Sequence, residues 1–295
     1  MKNRLLAYLI LIIAFSMQSF AQIEVTTQYR GRDVIFDANS KKYGTYTLVL
    51  EFTELRGYKS SIGNPKSIIK HGSNSSIYRL TYEGNSSTYY YRYSYTYYRG
   101  KYNSKTDINY PYLLPAATGK SLGIAQFENI KHNFGKNNTD SILGIVFNYR
   151  KIDTICAIRS GQVVEIKYST KQRNNSEQGF VYYDKLSQNI ITIEHADGSI
   201  ARYVCISAVS VLPKEGDRII AGQPIAIFTN EEEQNRMGLH LFYLDKNLKN
   251  QVIKPKFYTE EGLIQPEFGK RYKSISTREI IEKELTKKEK KNLNP

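Results

Sequence analysis

His240 lies between two leucines in the stretch GLHLF and is one of four histidines in this 295-residue sequence. Imidazole nitrogens bind zinc and transfer protons near neutral pH, so the spacing of the histidines is the first test for chemistry. No three of them have the i,i+2 or i,i+4 spacing of common metal sites; they are His71, His132, His195 and His240. The two cysteines, Cys156 and Cys205, are too few for a disulfide scaffold and form either one bridge or two buried free thiols.

Residues 1–21 have the pattern of a secretory signal peptide. Lys2 and Arg4 precede an apolar run over 5–15, and small residues follow at 19–21. The run is too short to span a bilayer, so we expect cleavage after residue 21 and export of a soluble chain, without a transmembrane segment, to the periplasm or beyond. Cleavage lowers the formal net charge from +14 to +12. A positive charge of this size favours anionic surfaces, and export argues against nucleic acid as a partner.

Period-two patterns predict an all-β protein with two domains. Residues 22–112 contain short alternating segments, for which an immunoglobulin-like β-sandwich is the expected fold. In TYYYRYSYTYYRG, tyrosine recurs at every second position, which places Tyr91, Tyr93 and Tyr95 on one face of one strand. Such a face either stacks on sugar rings or forms a semi-polar face of the sandwich.

A second β domain is predicted over residues 113–257, where β-rich segments are separated by turn residues. Asp197-Gly198 between two alternating runs predicts a hairpin there. Residues 258–295 form a charged C-terminal tail, expected either to be solvated or to touch an anionic surface.

The second domain resembles the lysostaphin-type (LytM-like) zinc endopeptidases, which cut peptide cross-links in peptidoglycan. The resemblance rests on four stretches, which are ITIEHADG at 191–198, YVC at 203–205, GDRIIAGQPI at 216–225 and LHLFYLDKN at 239–247. It implies the duplicated hybrid motif β fold of that family. In an active member it also implies zinc held by His, Asp and His ligands, with further histidines that activate water. The β-sandwich in front also resembles the partner domain of some exported members.

The resemblance places none of the family's aspartate and histidine side chains at the four site positions that follow. Val146 stands at the aspartate, Cys205 at the histidine of Tyr-x-His, and Leu239 and Leu241 at the two histidines of His-x-His. Val146 and the two leucines would fill the family's polar groove with apolar side chains, because unpaired carboxylates and imidazoles are costly to bury. On a strand, His240 would then point away from this groove.

Two features of this alignment stay open. A shift of one residue places Gly238 and His240 at the His-x-His positions. The upstream histidine of the family falls near Phe134 or Ile142, with His132 close to the first of these. His132 and His240 are therefore the fallback metal ligands.

Three hypotheses follow for function. The first is an exported, non-catalytic relative without a cofactor, which binds peptidoglycan or an envelope protein and regulates a wall hydrolase. The second is an enzyme, either a zinc peptidase with rearranged ligands including His132 and His240 or a cysteine peptidase that uses Cys205. The third is a carbohydrate-binding or surface-binding module. The candidate binding residues are Tyr91, Tyr93, Tyr95 and Tyr203.

Overall fold

The structure is a computed structural model that describes residues 22–84, 88–125, 144–150, 152–168, 189–229, 231 and 234–292. The predicted signal peptide at 1–21 and the fallback ligand His132 lie outside the described residues. Strands dominate the described part of the chain, so the predicted all-β fold is confirmed. Within that part, no helix has the length and apolar character needed to cross a membrane.

The first domain is one continuous sheet that bends over on itself. Its strands are β1 (Ile23–Arg30), β2 (Asp33–Arg56), β3 (Tyr58–Lys59), β4 (Lys66–Tyr82) and β5 (Tyr90–Arg99). The first half of β2 pairs with β1 and with the end of β4, and its second half pairs with the beginning of β4 and with β5. The pairing of β2 with β4 is interrupted between Ser40 and Thr45, where the strand changes direction.

The two halves of the bent sheet pack face to face around their own core. Phe36 in the first half of β2 makes edge-to-face contacts with Phe52 in the second half and with Tyr93 on β5, with ring centroids 5.6 and 5.0 Å apart. The domain therefore has the layered form of a sandwich. It differs from the expected immunoglobulin-like sandwich because β2 and β4 run through both layers, whereas that fold has two separate sheets.

The tyrosine ladder of β5 faces the inside of this domain. Tyr91, Tyr93 and Tyr95 pack against the core, and their hydroxyls reach across to β1. The Tyr95 hydroxyl donates to the backbone carbonyl of Ile23 at 3.0 Å, and the Tyr91 hydroxyl lies 3.3 Å from the Thr27 side chain. Of the two expectations for this face, the semi-polar inner face fits the structure.

The second domain is built on a long antiparallel sheet. Its strands are β6 (Pro111–Leu113), β7 (Ser121–Ala125), β8 (Ile145–Arg150), β9 (Thr154–Cys156), β10 (Gly161–Lys167), β11 (Asn189–Glu194), β12 (Ile200–Cys205), β13 (Val209–Val211), β14 (Arg218–Ile219), β15 (Pro224–Phe228), β16 (Gln234–Leu244), β17 (Asn250–Val252), β18 (Lys256–Thr259), β19 (Gly262–Ile264) and β20 (Arg271–Lys273). Within the described residues, the long sheet has the order β14-β10-β11-β12-β16-β8-β7-β20, and β17 also pairs with β16. One face of the long sheet packs into a single core. Two three-stranded sheets, β13-β15-β9 and β19-β18-β6, pack into the same core.

The predicted hairpin at Asp197-Gly198 connects β11 and β12. Gly198 has a φ of +84°, a conformation that residues other than glycine rarely adopt. Its amide donates to the carbonyl of His195 at 3.0 Å. The Asp197 carboxylate accepts from the Ser199 amide at 3.0 Å. Turn chemistry readable in the sequence therefore sets the register of two central strands of the sheet.

The domains meet at the bend of β2 and at the end of β5. The amide of Thr45 donates to the Glu194 carboxylate on β11 at 2.7 Å. Arg99 forms a mostly buried ion pair with Glu165 on β10 at 3.1 Å. Gly44 lies in this contact with a φ of +89°, and a Cβ there would come within 2.7 Å of Val164 and Glu194 side-chain atoms.

Gly44→Ala tests how tightly the two domains pack. We expect it to lower the free energy of unfolding by about 1–3 kcal/mol more than Gly72→Ala, because only residue 44 meets neighbouring side chains. Gly72 is the matched control, since its φ is +86° and an added Cβ there meets no atom within 4 Å. Urea denaturation of the two variants measures the difference. Equal losses would contradict a close contact at the bend.

The C-terminal residues 258–295 differ from the solvated tail expected from their charge. They contain the second half of β18 together with β19 and β20, followed by helices α1 (Arg278–Glu282) and α2 (Lys287–Asn292). Between the helices, Glu284 binds the buried side chain of Arg159, and Leu285 is buried. Glu289 pairs with Arg218 at 3.0 Å. Acidic residues scattered through a basic segment thus dock it onto the second domain.

Candidate functional site

A cavity of about 470 Å³ lies beside His240, where β16 changes its neighbour from β8 to β17. We call it the His240 pocket. Its lining includes Arg202, His240, Phe242, Asn250 and Lys254. The Arg202 guanidinium lies 5.4 Å from the centre of the Phe242 ring, which is cation–π distance. Among the described lining residues there are two cations and one imidazole but no carboxylate, so the pocket suits an anionic group.

The pairing of β12, β16 and β8 decides which residues lie on the same face of the sheet as His240. Cross-strand partners point to the same side of a sheet, and successive residues alternate. Leu239 pairs with Tyr203, and Leu241 pairs with Ala201. These four side chains are buried in the main core. His240 pairs with Arg202 on the opposite face.

The four family-equivalent positions are divided between the two faces. Cys205, Leu239 and Leu241 lie on the core side. Val146 pairs with Gly238, so it shares the face of Gly238 and His240. Leu239 and Leu241 also line the His240 pocket from the core side of β16, whereas Val146 is not among its lining residues. The expectation that Val146 and the two leucines together fill one groove therefore does not fit the position of Val146. The leucines are core residues of the sheet.

In the alternative alignment, shifted by one residue, three of the positions equivalent to the family's metal ligands lie on the same face of the sheet. With Gly238 and His240 at the His-x-His positions, the aspartate-equivalent Val146 joins them on one face of the sheet, and of these three residues only His240 lines the pocket. Cys205 stays on the core face in either alignment. The structure thus unites Val146, Gly238 and His240 and separates them from Cys205.

Zinc does not fit the donor set on this face. Val146 has no lone pair, Gly238 has no side chain, and His240 supplies one imidazole, whereas a zinc site needs three or four protein ligands. Within the described ranges, no group of three or more histidine, cysteine, aspartate or glutamate side chains is placed to hold a metal. We derive no catalytic step through a metal.

The family of the second domain follows from comparison with known proteins. The model of peptidase family M23 matches residues 141–254. This chain contains an M23 domain. The matched residues run from just before β8 to just after β17, and they include the His240 pocket. No curated protein matches the sequence.

Solved structures similar to this chain have low overall superposition scores. One is described as the glycyl-glycine endopeptidase lytM from Ruminococcus gnavus, with 13% identity, a TM-score of 0.33, and coverage of 50% of this chain and 58% of that one. Csd3 from Helicobacter pylori in its hexagonal crystal has 12% identity, a TM-score of 0.28, and coverage of 75% and 65%. In its orthorhombic crystal the values are 11%, 0.29, 92% and 77%. The chain thus spans less than two thirds of the first two, and likenesses of this size support no conclusion about activity.

Tyr203 and Cys205 are interior residues of the M23 domain. Tyr203 is fully buried, and its hydroxyl accepts the amide proton of Ile158 at 2.9 Å, so its predicted role in ligand binding does not fit the structure. Cys156 and Cys205 are both free and buried, which selects two free thiols over one bridge. Burial raises the pKa of the Cys205 thiol to about 12 and that of Cys156 to about 11. Both thiols are protonated near neutral pH, unlike a catalytic thiolate.

Thiol labelling tests this assignment. At pH 8, below both raised pKa values, we expect neither cysteine of the native chain to react with a thiol reagent within the time that a free peptide thiol reacts completely. Both should react after unfolding in guanidinium chloride. Rapid labelling of one thiol in the native chain, located at Cys205 by peptide mapping, would contradict the buried assignment and support a cysteine nucleophile.

His195 is a structural histidine of the M23 domain. It is buried, its Nδ1 lies 2.8 Å from the backbone carbonyl oxygen of Ser160, and burial lowers its pKa to about 3. The neutral ring therefore donates from Nδ1 to that carbonyl. His195 lies at the hairpin between β11 and β12, whose Asp197 and Ser199 bind Arg159, away from the His240 pocket.

The cationic residues of the pocket were not anticipated from the sequence. Arg202 interrupts the otherwise apolar run SIARYVCI, and this interruption is the signal that could have identified it. Lys254 precedes Pro255 just after β17, where the sequence pattern resembles an ordinary loop. Their convergence depends on the pairing of β12 with β16, which are separated by 28 residues in sequence, and of β16 with the next strand, β17.

Proposed function

We propose that this chain is an exported, non-catalytic M23-domain protein of the bacterial envelope, which binds peptidoglycan or an envelope protein and thereby regulates a wall hydrolase. The proposal rests on one observation, which is the set of residues that occupy the positions of the family's metal ligands and catalytic histidine. On one face of the sheet these positions hold Val146, Gly238 and the single imidazole of His240, and Leu239, Leu241 and Cys205 belong to the core on the other face. A domain with this composition keeps a cleft and lacks the donors for metal-assisted hydrolysis.

The His240 pocket is the binding site in this proposal. Arg202 and Lys254 supply positive charge, and Phe242 and Ile253 supply apolar surface. The peptide stems of peptidoglycan carry carboxylates, and guanidinium groups bind carboxylates well. The pocket therefore suits recognition of a stem peptide without cleavage.

The proposal is tested by co-sedimentation of residues 22–295 with purified peptidoglycan sacculi. We expect the wild-type chain to sediment with sacculi and to release no soluble fragments. The double variant Arg202→Ala with Lys254→Ala should lose most of the bound fraction. Lys270→Ala with Lys273→Ala is the control, because it removes the same charge from two exposed lysines. If the chain binds neither sacculi nor a protein from the envelope, or if it releases soluble fragments, the proposal is wrong.

A zinc peptidase with rearranged ligands is the second candidate. The position of His240 in the pocket lining favours it, since one imidazole remains next to a cleft of suitable size. It would need further ligands, for which His132 and a carboxylate are the sequence candidates. One result would distinguish this candidate. The chain would release peptide fragments from sacculi, a chelator of zinc would stop this release, and His240→Ala would abolish it.

A further inference from the structure

Six tyrosines gather at the end of the first domain that is farthest from the M23 domain. They come from the ends of β1 and β4, from β3 and from the start of β5. We call this group the tyrosine pole, and its members are Tyr29, Tyr58, Tyr82, Tyr89, Tyr90 and Tyr91. The other end of β5 reaches Gly100, which contacts Leu244 of the M23 domain. At about 3.3 Å per residue, the ten residues of β5 place the pole roughly 30 Å from that contact.

The rings of the pole hold one another in fixed orientations. Tyr58 makes edge-to-face contacts with Tyr82, Tyr89 and Tyr91, with ring centroids 6.1, 6.1 and 5.7 Å apart. Tyr82 and Tyr89 contact each other in the same way at 5.8 Å. Edge-to-face contacts of this kind fix the ring of the exposed Tyr89 before any ligand arrives, which reduces the entropy lost on binding.

A shallow trough of about 500 Å³ runs between the exposed rings. It is lined by Tyr29, Tyr89, Tyr90, Tyr91, Arg92 and Tyr93. Tyr29 and Tyr89 are 62% and 51% exposed, far more than large aromatic side chains in a core. Among the described lining residues there is no aliphatic side chain. The lining thus consists of aromatic faces, hydroxyls and one guanidinium, a composition that suits a ligand with hydroxyls around an apolar face.

A sugar ring has this chemistry. Its C–H groups form an apolar face that packs on an aromatic ring, and its hydroxyls lie around the edge, where tyrosine hydroxyls can bond to them. Tyrosine offers this amphipathic contact with few rotatable bonds to immobilise. The trough therefore fits a glycan chain lying across the faces of Tyr29 and Tyr89.

The charge around the trough selects an acidic glycan. Five arginines lie in or next to the strand ends that form the pole, and they are Arg30, Arg32, Arg56, Arg79 and Arg92. Of the nearby carboxylates, Asp33 is paired with Arg79 and Glu54 with Arg92, and the exposed Glu83 follows Tyr82. The side chains of Arg92 and Glu54 are 67% and 45% exposed, so a ligand carboxylate can replace Glu54 at Arg92. The Arg32 guanidinium lies 5.0 Å from the centre of the Tyr82 ring, at the edge of the pole. The excess of arginine provides a field that attracts carboxylates.

We propose that the tyrosine pole binds an acidic polysaccharide, with Tyr29 and Tyr89 as stacking faces and Arg32 and Arg92 as partners for its carboxylates. This site is separate from the His240 pocket and does not depend on the function proposed for the M23 domain. Placed at the far end of the molecule, it would attach the chain to a glycan and leave the M23 domain accessible.

The experiment is calorimetric titration of residues 22–295 with polygalacturonate oligosaccharides, and with dextran oligosaccharides as the neutral comparison. We expect binding of polygalacturonate that is at least about tenfold weaker in Tyr29→Ser with Tyr89→Ser, since two stacking contacts are lost. Arg32→Gln with Arg92→Gln should weaken it similarly. The control is Tyr98→Ser, which removes an exposed tyrosine from the other end of β5 and should bind as wild type.

Two further measurements establish that the binding occurs at the tyrosine pole. Urea midpoints within error of wild type show that the pole variants are folded. Arg202→Ala with Lys254→Ala should leave the affinity for polygalacturonate unchanged, because the His240 pocket lies in the other domain. Absence of polygalacturonate binding, equal affinity for dextran, or wild-type affinity in the Tyr29→Ser, Tyr89→Ser variant would overturn the proposal.

Discussion

Arg159→Met is expected to lower the free energy of unfolding by about 3–5 kcal/mol. Arg159 is 3% exposed and binds the carboxylates of Asp197 and Glu284 at 3.0 and 2.6 Å. Its guanidinium also lies 3.6 Å from the centre of the Tyr110 ring. Removal of this one cation leaves two largely buried carboxylates without their main partner, which costs far more than the loss of an exposed ion pair. Urea denaturation followed by circular dichroism measures the change.

The matched control is Arg218→Met. Arg218 also binds a glutamate of the C-terminal segment, but its side chain is 43% exposed, so we expect a loss below about 1 kcal/mol. Glu284→Gln keeps the size of the side chain, removes one of the two carboxylates and should cost less than Arg159→Met. If Arg159→Met unfolds as wild type does, residues 274–292 are not docked as the structure places them.

Leu239→Ala is expected to lower the free energy of unfolding by about 2–5 kcal/mol. Leu239 is 2% exposed, pairs with Tyr203 and Ile145, and belongs to the main core of the M23 domain. Truncation of a core leucine removes buried apolar surface and leaves a cavity. Leu239 also lines the His240 pocket, but a leucine whose side chain pointed into solvent would cost much less. The size of the loss therefore reports whether the Leu239 side chain packs in the core.

His240→Ala is the companion variant, because residues 239 and 240 are neighbours on the same strand and face opposite sides. His240 lines the pocket and is partly exposed, so we expect its replacement to cost less than about 1 kcal/mol. Both variants are measured by urea denaturation under the same conditions. Equal losses, or a larger loss for His240→Ala, would reverse the assignment of the two faces.

Local features of the sequence predicted the parts of the fold that depend on local chemistry. The Asp197-Gly198 hairpin forms because glycine accepts the positive φ of the turn and the aspartate carboxylate bonds to the next turn amide. The alternation of tyrosines on β5 correctly placed Tyr91, Tyr93 and Tyr95 on one face. Alternation alone does not say whether that face is inside or outside.

The parts that depend on pairing between distant strands could not be obtained from one sequence. The predicted groove joined Val146 with Leu239 and Leu241, but the register of β8 against β16 pairs Val146 with Gly238. A shift of one residue exchanges the two faces of a strand, and single-sequence patterns do not fix it. The docking of the C-terminal residues likewise depends on Arg159, whose partner Glu284 is more than a hundred positions away.

Zinc stoichiometry tests most directly the central proposal, which is that the M23 domain of this chain binds no zinc. Residues 22–295 are purified without a metal-affinity tag, dialysed against micromolar zinc and then against zinc-free buffer, and analysed by elemental mass spectrometry beside His240→Ala. We predict a zinc-to-protein ratio near zero for both chains. A ratio near one for the wild type that falls in His240→Ala would contradict the claim and make His240 a metal ligand.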